Sequence, residues 1–127
     1  MAAFTNQATL TYNGNTTTSN ITVGEIVEVL SATKTPLVNT YTQDGRVTYT
    51  VSLINSGNTA FTDLTFSDNL GSYTSTTGDA VPLTYVTDSA KVYVNGVLAT
   101  PVTITGTNPL TITGITVPAN GNVLVVY

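Results

Sequence analysis

Apolar and polar residues alternate along most of the chain, and this alternation predicts β-strands. In residues 46–55, RVTYTVSLIN, one face carries Val47, Tyr49, Val51 and Leu53, and the other carries threonine and serine. A period of two residues is that of a strand with one buried face. Similar short stretches recur between turn residues such as Asn95-Gly96, which indicates an all-β sandwich.

The inward positions of these strands form the predicted core. Its members are apolar residues at strand positions: Val47, Tyr49, Val51, Leu53, Leu64, Phe66, Val92, Val94, Ile104, Ile112, Val117 and Leu124. A chain of 127 residues is long enough for one domain with a sizeable core.

An N-terminal hairpin is predicted ahead of this core. Alternating residues 8–12 and a second stretch at residues 16–23 flank the pair Asn13-Gly14, which is a strong short-range hairpin signal. We therefore divide the chain into an arm at residues 1–23, a connector at residues 24–33 and a sandwich at residues 34–127.

The composition favours a structural role over catalysis. Threonine occurs 28 times, only 8% of residues are charged, and histidine and cysteine are absent. Without these residues the usual activated nucleophiles are missing, so we expect no enzyme activity, no catalytic residues, no metal site and no cofactor.

The charge argues against two classes of partner. The net charge is −4, and only Lys34, Lys91 and Arg46 could meet phosphates, so no nucleic acid is expected. No run of residues is long enough to cross a bilayer, and no intact secretory signal is visible.

A neutral, hydroxyl-rich surface is typical of extracellular wall and fibre proteins, so we expect the protein on the surface of a cell or spore.

Two groups of side chains are candidates for special chemistry. Lys34 is a candidate for an isopeptide crosslink with an asparagine, assisted by a carboxylate such as Asp68 or Glu28; the alternative is a solvated or ion-paired lysine. Asp63, Asp68 and Asn69 offer oxygen ligands for Ca²⁺, although aspartate at strand ends is also ordinary turn chemistry.

Residues 40–70 resemble the opening of a bacterial and archaeal surface repeat, the family catalogued as domain of unknown function eleven. That family runs K-x-x-x-P, then G-D-x-V-x-Y-T-V-x-V-x-N-x-G, then x-x-N-V-x-V-x-D-x-L. Eight residues occupy matching positions, Lys34 ahead of this stretch and seven within it: Gly45, Val47, Tyr49, Asn55, Gly57, Leu64 and Asp68. The resemblance implies an immunoglobulin-like Greek-key β-sandwich in tandem surface arrays, with no catalytic residues.

The two ends of the chain suggest strand exchange. The family usually closes with a segment like T-N-T-A-T-V-T-Y, which in this chain resembles residues 4–23 at the front, while the last strand, residues 123–127, has no successor to pair with. The donor residues are predicted to be Phe4, Ala8, Leu10, Tyr12, Ile21 and Val23. The acceptor edge is predicted to be Val123, Leu124, Val125, Val126 and Tyr127.

Because donor and acceptor lie at opposite ends, the predicted contact is head-to-tail and propagates as a filament of identical subunits. Three alternatives stay open. The arm folds back onto its own domain, the chain is trimmed from a longer array, or it is a spacer or adhesive module of a large surface protein that meets a host or matrix ligand.

Overall fold

The computed structural model describes residues 2–127, and every regular element in that range is a β-strand. The strands are β1 (Ala2–Asn6), β2 (Thr9–Tyr12), β3 (Asn15–Thr18), β4 (Thr22–Ile26), β5 (Leu30–Pro36), β6 (Tyr49–Asn55), β7 (Phe61–Asp68), β8 (Tyr73–Ser75), β9 (Gly78–Ala80), β10 (Lys91–Val94), β11 (Val97–Ala99), β12 (Thr103–Thr107), β13 (Leu110–Val117) and β14 (Gly121–Val126).

Two larger sheets face each other and enclose the core. The first has the strand order β11-β10-β14-β6-β5 and the second the order β12-β13-β7. Strand β13 contacts both β14 and β6 across the interface. The buried apolar residues between the sheets are Val51, Leu70, Ala90, Val92, Leu110, Ile112, Ile115, Val117, Val123 and Val125. The prediction of an all-β fold is confirmed.

Most of the predicted core lies where the alternation placed it. Val51, Val92, Ile112 and Val117 are buried. Five more predicted members are partly buried and pack against that cluster: Leu53, Leu64, Phe66, Val94 and Ile104. The other two residues predicted on the inward face of residues 46–55, Val47 and Tyr49, are half-buried and lie outside the cluster.

The prediction for Leu124 is wrong. Val123 and Val125 are fully buried, whereas Leu124 between them is half-buried and lies outside the core. Leu124 stands opposite Tyr93 and Ser52 on the neighbouring strands. Paired residues share a face of the sheet, so all three side chains lie on the face turned away from the second sheet.

Two Asn-Gly pairs make the tight turns that the sequence predicted. Asn13 and Gly14 have φ angles of 47° and 77° between β2 and β3, and Asn95 and Gly96 have 47° and 81° between β10 and β11. Positive φ at both central residues is the geometry of the two-residue turn whose twist matches that of antiparallel strands.

The predicted boundaries between arm, connector and sandwich need correction. β4 continues the arm as far as Ile26, where it pairs with β1, and β5 already begins at Leu30, where it pairs with Asn55. The connector therefore shrinks from residues 24–33 to residues 27–29. The prediction for Met1 lies outside the described residues. No helix in residues 2–127 is long and apolar enough to cross a membrane.

Candidate assembly site

The N-terminal arm consists of two antiparallel strand pairs, and its large apolar side chains are exposed to solvent. β2 pairs with β3, and β1 pairs with β4, in two sheets separate from those of the sandwich. All six predicted donor residues are exposed: Phe4, Ala8, Leu10, Tyr12, Ile21 and Val23. Leu10 and Tyr12 expose 65% and 73% of their surface. Such exposure of large apolar residues marks a surface suited to a partner.

The predicted donor residues do not all share one face of the arm. Leu10 and Tyr12 lie on the same face of β2, where they stand opposite Thr17 and Asn15 of β3. In the β1–β4 pair, however, Phe4 stands opposite Gly24 and its ring covers that glycine, while Val23 stands opposite Thr5. Phe4 and Val23 therefore point to opposite faces, and a partner that covers Phe4 leaves Val23 uncovered.

A short, anchored connector carries the arm. The Val29 carbonyl accepts hydrogen bonds from the Ser56 amide at 2.8 Å and from the Ser56 hydroxyl at 3.2 Å. A Cβ on Gly57 would lie 2.9 Å from the Val29 side chain, so only glycine permits this approach. The connector is thus fixed to the turn between β6 and β7.

Asn55 holds that turn against the opposite turn of the sandwich. Its side chain is 1% exposed and donates to the carbonyls of Thr59 at 2.8 Å and Pro118 at 2.9 Å, while it accepts from the Gly57 amide at 2.9 Å. The N-x-G motif therefore has a structural explanation, since it joins the two turns at one end of the sandwich.

The predicted acceptor strand is not a sheet edge. β14 pairs with β10 on one side and with β6 on the other, and Tyr127 continues the contact through two backbone hydrogen bonds with Tyr49. The prediction that Val123, Leu124, Val125, Val126 and Tyr127 form a free acceptor edge is therefore wrong. The last strand of the chain is inserted between earlier ones, which chain order alone does not reveal.

An uncovered side of the sandwich runs instead between β5 and β7. β5 ends the five-stranded sheet, and β7 ends the three-stranded sheet. We call the space between them the open margin, lined by Leu30, Ala32, Leu53, Leu64 and Phe66. Four of these are only half-buried and Ala32 is exposed. Within residues 2–127, β7 forms a ladder with β13 alone, so its outer edge offers unpaired backbone groups beside apolar side chains.

Lys34 and Asp68 form an ion pair at one end of the open margin. Lys34 Nζ lies 2.7 Å from Asp68 Oδ2, with side-chain exposures of 38% and 8%. The same oxygen accepts a hydrogen bond from the Tyr127 hydroxyl, and Oδ1 accepts one from the Leu70 amide at 3.1 Å. Lys34 Nζ also lies 4.1 Å from the centre of the Tyr49 ring, where the cation meets the ring face.

These contacts set the charge states of the cluster. Burial by itself raises the pKa of Asp68, but the hydrogen bonds from the ammonium, the phenol and the backbone amide outweigh it, so this pKa lies below its usual value. Burial and the hydrogen bond to Asp68 raise the pKa of Tyr127 far above its usual value. At neutral pH, Asp68 is an anion and Tyr127 a neutral donor.

The structure brings together Lys34 and Asp68, the carboxylate that the sequence had named beside Glu28; Glu28 itself is exposed. It does not assemble the three oxygen ligands proposed for Ca²⁺. Asp68 is occupied by its three donors, and the Asn69 side chain accepts from the Gly71 amide at 3.0 Å. No group of three metal-ligating side chains occurs in the part of the chain that the structure describes.

The outer edge of β7 and the hydroxyl of Tyr127 are the parts of this site that the sequence had not indicated. Leu64 and Phe66 were assigned to the core, and only their incomplete burial shows that one side of the core is open. Searches for a matching family model, a similar curated protein and a similar solved structure found none.

Proposed function

We propose that this protein is an immunoglobulin-like subunit that polymerises head-to-tail by inserting its arm into the open margin of the next copy. The strand order supports the fold. In an immunoglobulin sandwich one sheet has the order A-B-E-D, and the other contains C, F and G. The spatial order β5-β6-β14-β10 reproduces A-B-E-D, and β7, which follows β6 in the chain, then corresponds to C. Strands β12 and β13 lie between β10 and β14 in the chain and are additional to this pattern.

The observation that carries the proposal is the unoccupied position beside β7. In the immunoglobulin pattern F and G follow E in the chain, and F pairs with C. Strands β12 and β13 lie on the other side of β7 and precede β14, and within residues 2–127 no strand follows β14 to pair with the free edge of β7. The arm consists of two antiparallel strand pairs, β1–β4 and β2–β3, which expose apolar side chains and pair with neither main sheet. Insertion would pair the outer edge of β7 and cover the half-buried side chains of the open margin, as in strand addition to a sheet edge.

The direction of the strands favours insertion into a second copy. β5 and β7 both run from the end marked by Asn55 to the end marked by Asp68. The first strand of an inserted hairpin runs antiparallel to β7, so its second strand leaves at the Asp68 end. β5 of the same chain begins at the Asn55 end, about 26 Å away for an eight-residue strand.

Residues 27–29 cannot bridge that distance. The four steps from Ile26 to Leu30 reach about 14 Å at full extension. Docking of the whole hairpin in its own sandwich would therefore require β4 to come apart. Insertion into another copy keeps β4 intact. It sets the Asn55 end of the donor sandwich against the Asp68 end of the acceptor sandwich, and this head-to-tail contact can be repeated from copy to copy without forming a closed ring.

A structural filament subunit on a cell or spore surface fits the other properties of the chain. The sparsely charged, threonine-rich chain has a net charge of −4 and only three basic residues for nucleic acid or anionic lipid head groups. The resemblance of residues 40–70 to a surface repeat supports the same location. In this proposal the protein has no enzymatic role, and its partner is another copy of itself.

The test is a pair of charge substitutions on the two faces of β2. Leu10→Asp places a carboxylate on the face that enters the apolar margin, where an unpaired charge costs several kcal/mol, so the variant is expected to remain monomeric. Thr9→Asp places the same charge on the opposite face and should leave polymerisation intact. Electron microscopy of negatively stained protein and sedimentation velocity measure both outcomes. A wild-type chain that stays monomeric, or fibres of Leu10→Asp equal to those of the wild type, would contradict the proposal.

One observation also suits a second function, that of a spacer module in a longer surface protein. The three-residue connector is anchored at Val29 and holds the arm at a defined end of the sandwich, which would fix the spacing of covalently joined repeats. A spacer of this kind stays monomeric as a purified chain at every concentration, whereas the exchanging subunit elongates.

A further inference from the structure

We propose that the inserted arm becomes covalently linked to its acceptor by an isopeptide bond between Lys34 of the acceptor and Asn6 of the donor, with Asp68 transferring the protons. This inference rests on the proposed strand exchange. It adds a chemical step at the Asp68 end of the open margin, where the structure holds a lysine, a carboxylate and two tyrosines in contact.

The acceptor provides the nucleophile and the proton carrier in one contact. The 2.7 Å between Lys34 Nζ and Asp68 Oδ2 is the separation of a direct hydrogen bond, along which a proton can pass. The Tyr127 hydroxyl holds the same carboxylate oxygen, and the rings of Tyr49 and Tyr127 lie 4.1 and 5.6 Å from Nζ. The lysine is thus held by Asp68 and the two rings, and part of its side chain remains exposed.

The register of the inserted strand selects Asn6. The inward face of β7 carries Leu64, Phe66 and Asp68, and the apolar face of the arm carries Ala8 and Leu10. Pairing Leu10 with Leu64 places small Ala8 opposite large Phe66.

The polar partners follow from the same register. Strand β1 ends at Asn6 and β2 begins at Thr9, so this register requires residues 6–10 to form one continuous strand on insertion. Asn6 lies four residues before Leu10, and Asp68 lies four residues after Leu64, so such a strand, antiparallel to β7, sets Asn6 opposite Asp68. A slip of two residues in one direction sets the Asn6 amide against Phe66 instead. A slip in the other direction sets Ala8 against the charge of Asp68. The favoured register therefore delivers an amide carbon to the Lys34–Asp68 pair.

The proposed insertion would also remove water from that pair. Lys34 is 38% exposed before the arm arrives. Coverage by a strand removes water from both groups, which disfavours the charged forms relative to the neutral amine and carboxylic acid. Transfer of one proton from Nζ to Asp68 then leaves an amine free to attack.

The reaction balances without another reactant. Lys34 Nζ forms a bond to Asn6 Cγ, and the bond from Cγ to Nδ2 breaks. The proton first taken up by Asp68, and a second proton released from Nζ during attack, pass to the departing nitrogen. This nitrogen leaves as ammonium, and Asp68 returns to its carboxylate form. The product is one secondary amide between two chains.

The test compares fibres of the full chain before and after boiling in detergent. Wild-type fibres should give a ladder of covalent oligomers whose dimer has the mass of two chains less one ammonia, and proteolysis should yield one linked peptide containing Lys34 and Asn6. Lys34→Arg keeps the ion pair and the ring contact but removes the nucleophilic amine. Asn6→Ala lies on the exposed arm, outside the folded sandwich. Both variants should keep fibres by electron microscopy and lose the ladder completely.

Matched controls separate the outcomes. Lys91→Arg and Asn15→Ala change the same residue types elsewhere and should keep the ladder. Wild-type fibres that dissociate fully to monomers in detergent overturn the crosslink and leave strand exchange standing. An absence of fibres overturns both. A ladder that persists in Lys34→Arg or Asn6→Ala shows that the link, if covalent, joins other residues, and likewise overturns the inference.

Discussion

At the scale of single residues, two buried polar side chains hold together parts of the chain that are distant in sequence. Asn55 joins two turns at one end of the sandwich, and Asp68 joins β5, β7 and the end of the chain at the other. The D-x-L motif has the same kind of explanation, because Asp68 accepts from the Leu70 amide and Leu70 is buried. Both motifs therefore serve the fold.

Asp68 should make the stability of the sandwich depend on acid. Its pKa is lower in the folded state than in the unfolded chain, so its contribution is fully present above about pH 4 and is lost as the pH falls through the folded pKa. Asp68→Asn should lower the free energy of unfolding at pH 7 by about 1–3 kcal/mol. Below pH 4 the variant should approach the wild type.

Urea denaturation between pH 2 and pH 7 measures this effect. The exposed turn residue Asp88 provides the control, since Asp88→Asn leaves the Lys34 contact intact and should keep the slope of the wild type. A variant at Asp68 with the same pH dependence as the wild type would show that this carboxylate is not the group responsible.

Asn55 should matter for stability independently of pH. Asn55→Ala leaves the Thr59 and Pro118 carbonyls and the Gly57 amide without their partner, which should cost about 1–3 kcal/mol. Asn58→Ala, three residues on and exposed, should change stability by less than about 0.5 kcal/mol. Thermal and urea denaturation compare the two; equal effects would mean that the Asn55 hydrogen bonds contribute little.

At the scale of elements, the molecule consists of a sandwich with an unpaired edge at β7 and a hairpin whose strands pair with neither main sheet. The hairpin has its own ladders and its own turn, so in the proposed insertion it would enter the partner already formed. Preformed structure lowers the conformational entropy lost on insertion. The connector, by contrast, is too short for the hairpin to reach its own margin intact.

Lengthening the connector should therefore convert polymers into monomers. An insertion of about ten glycine and serine residues between Val27 and Glu28 spans the missing distance and lets the hairpin fill its own margin at a millimolar effective concentration. Sedimentation velocity should then show compact monomers. The same insertion between Thr76 and Thr77, in the exposed turn from β8 to β9, should leave fibres unchanged. Fibres from both proteins would contradict the role assigned to connector length.

At the scale of the whole molecule, the proposed assembly makes the arm and the open margin the two complementary halves of a head-to-tail joint. The donor is joined to the Asn55 end of its sandwich, and its exit from the acceptor lies at the Asp68 end. Repetition of this contact adds each subunit in the same direction. A filament built in this way is continuous in its backbone hydrogen bonds, and the proposed amide bond at each joint would make it continuous in covalent structure as well.

The sequence by itself determined the strand content, the two Asn-Gly turns and most core positions, because these depend on local preferences with a period of two residues. It also indicated Lys34 as a candidate for a crosslink and Asp68 as a carboxylate that could assist it. Only the tertiary structure decided that β14 lies inside a sheet, that Leu124 faces outward and that β7 has the free edge. Strand order in a sheet depends on contacts between segments tens of residues apart, and no local pattern encodes which strands become neighbours. The free edge of β7, on which the proposed acceptor side rests, could therefore be located only from the tertiary structure.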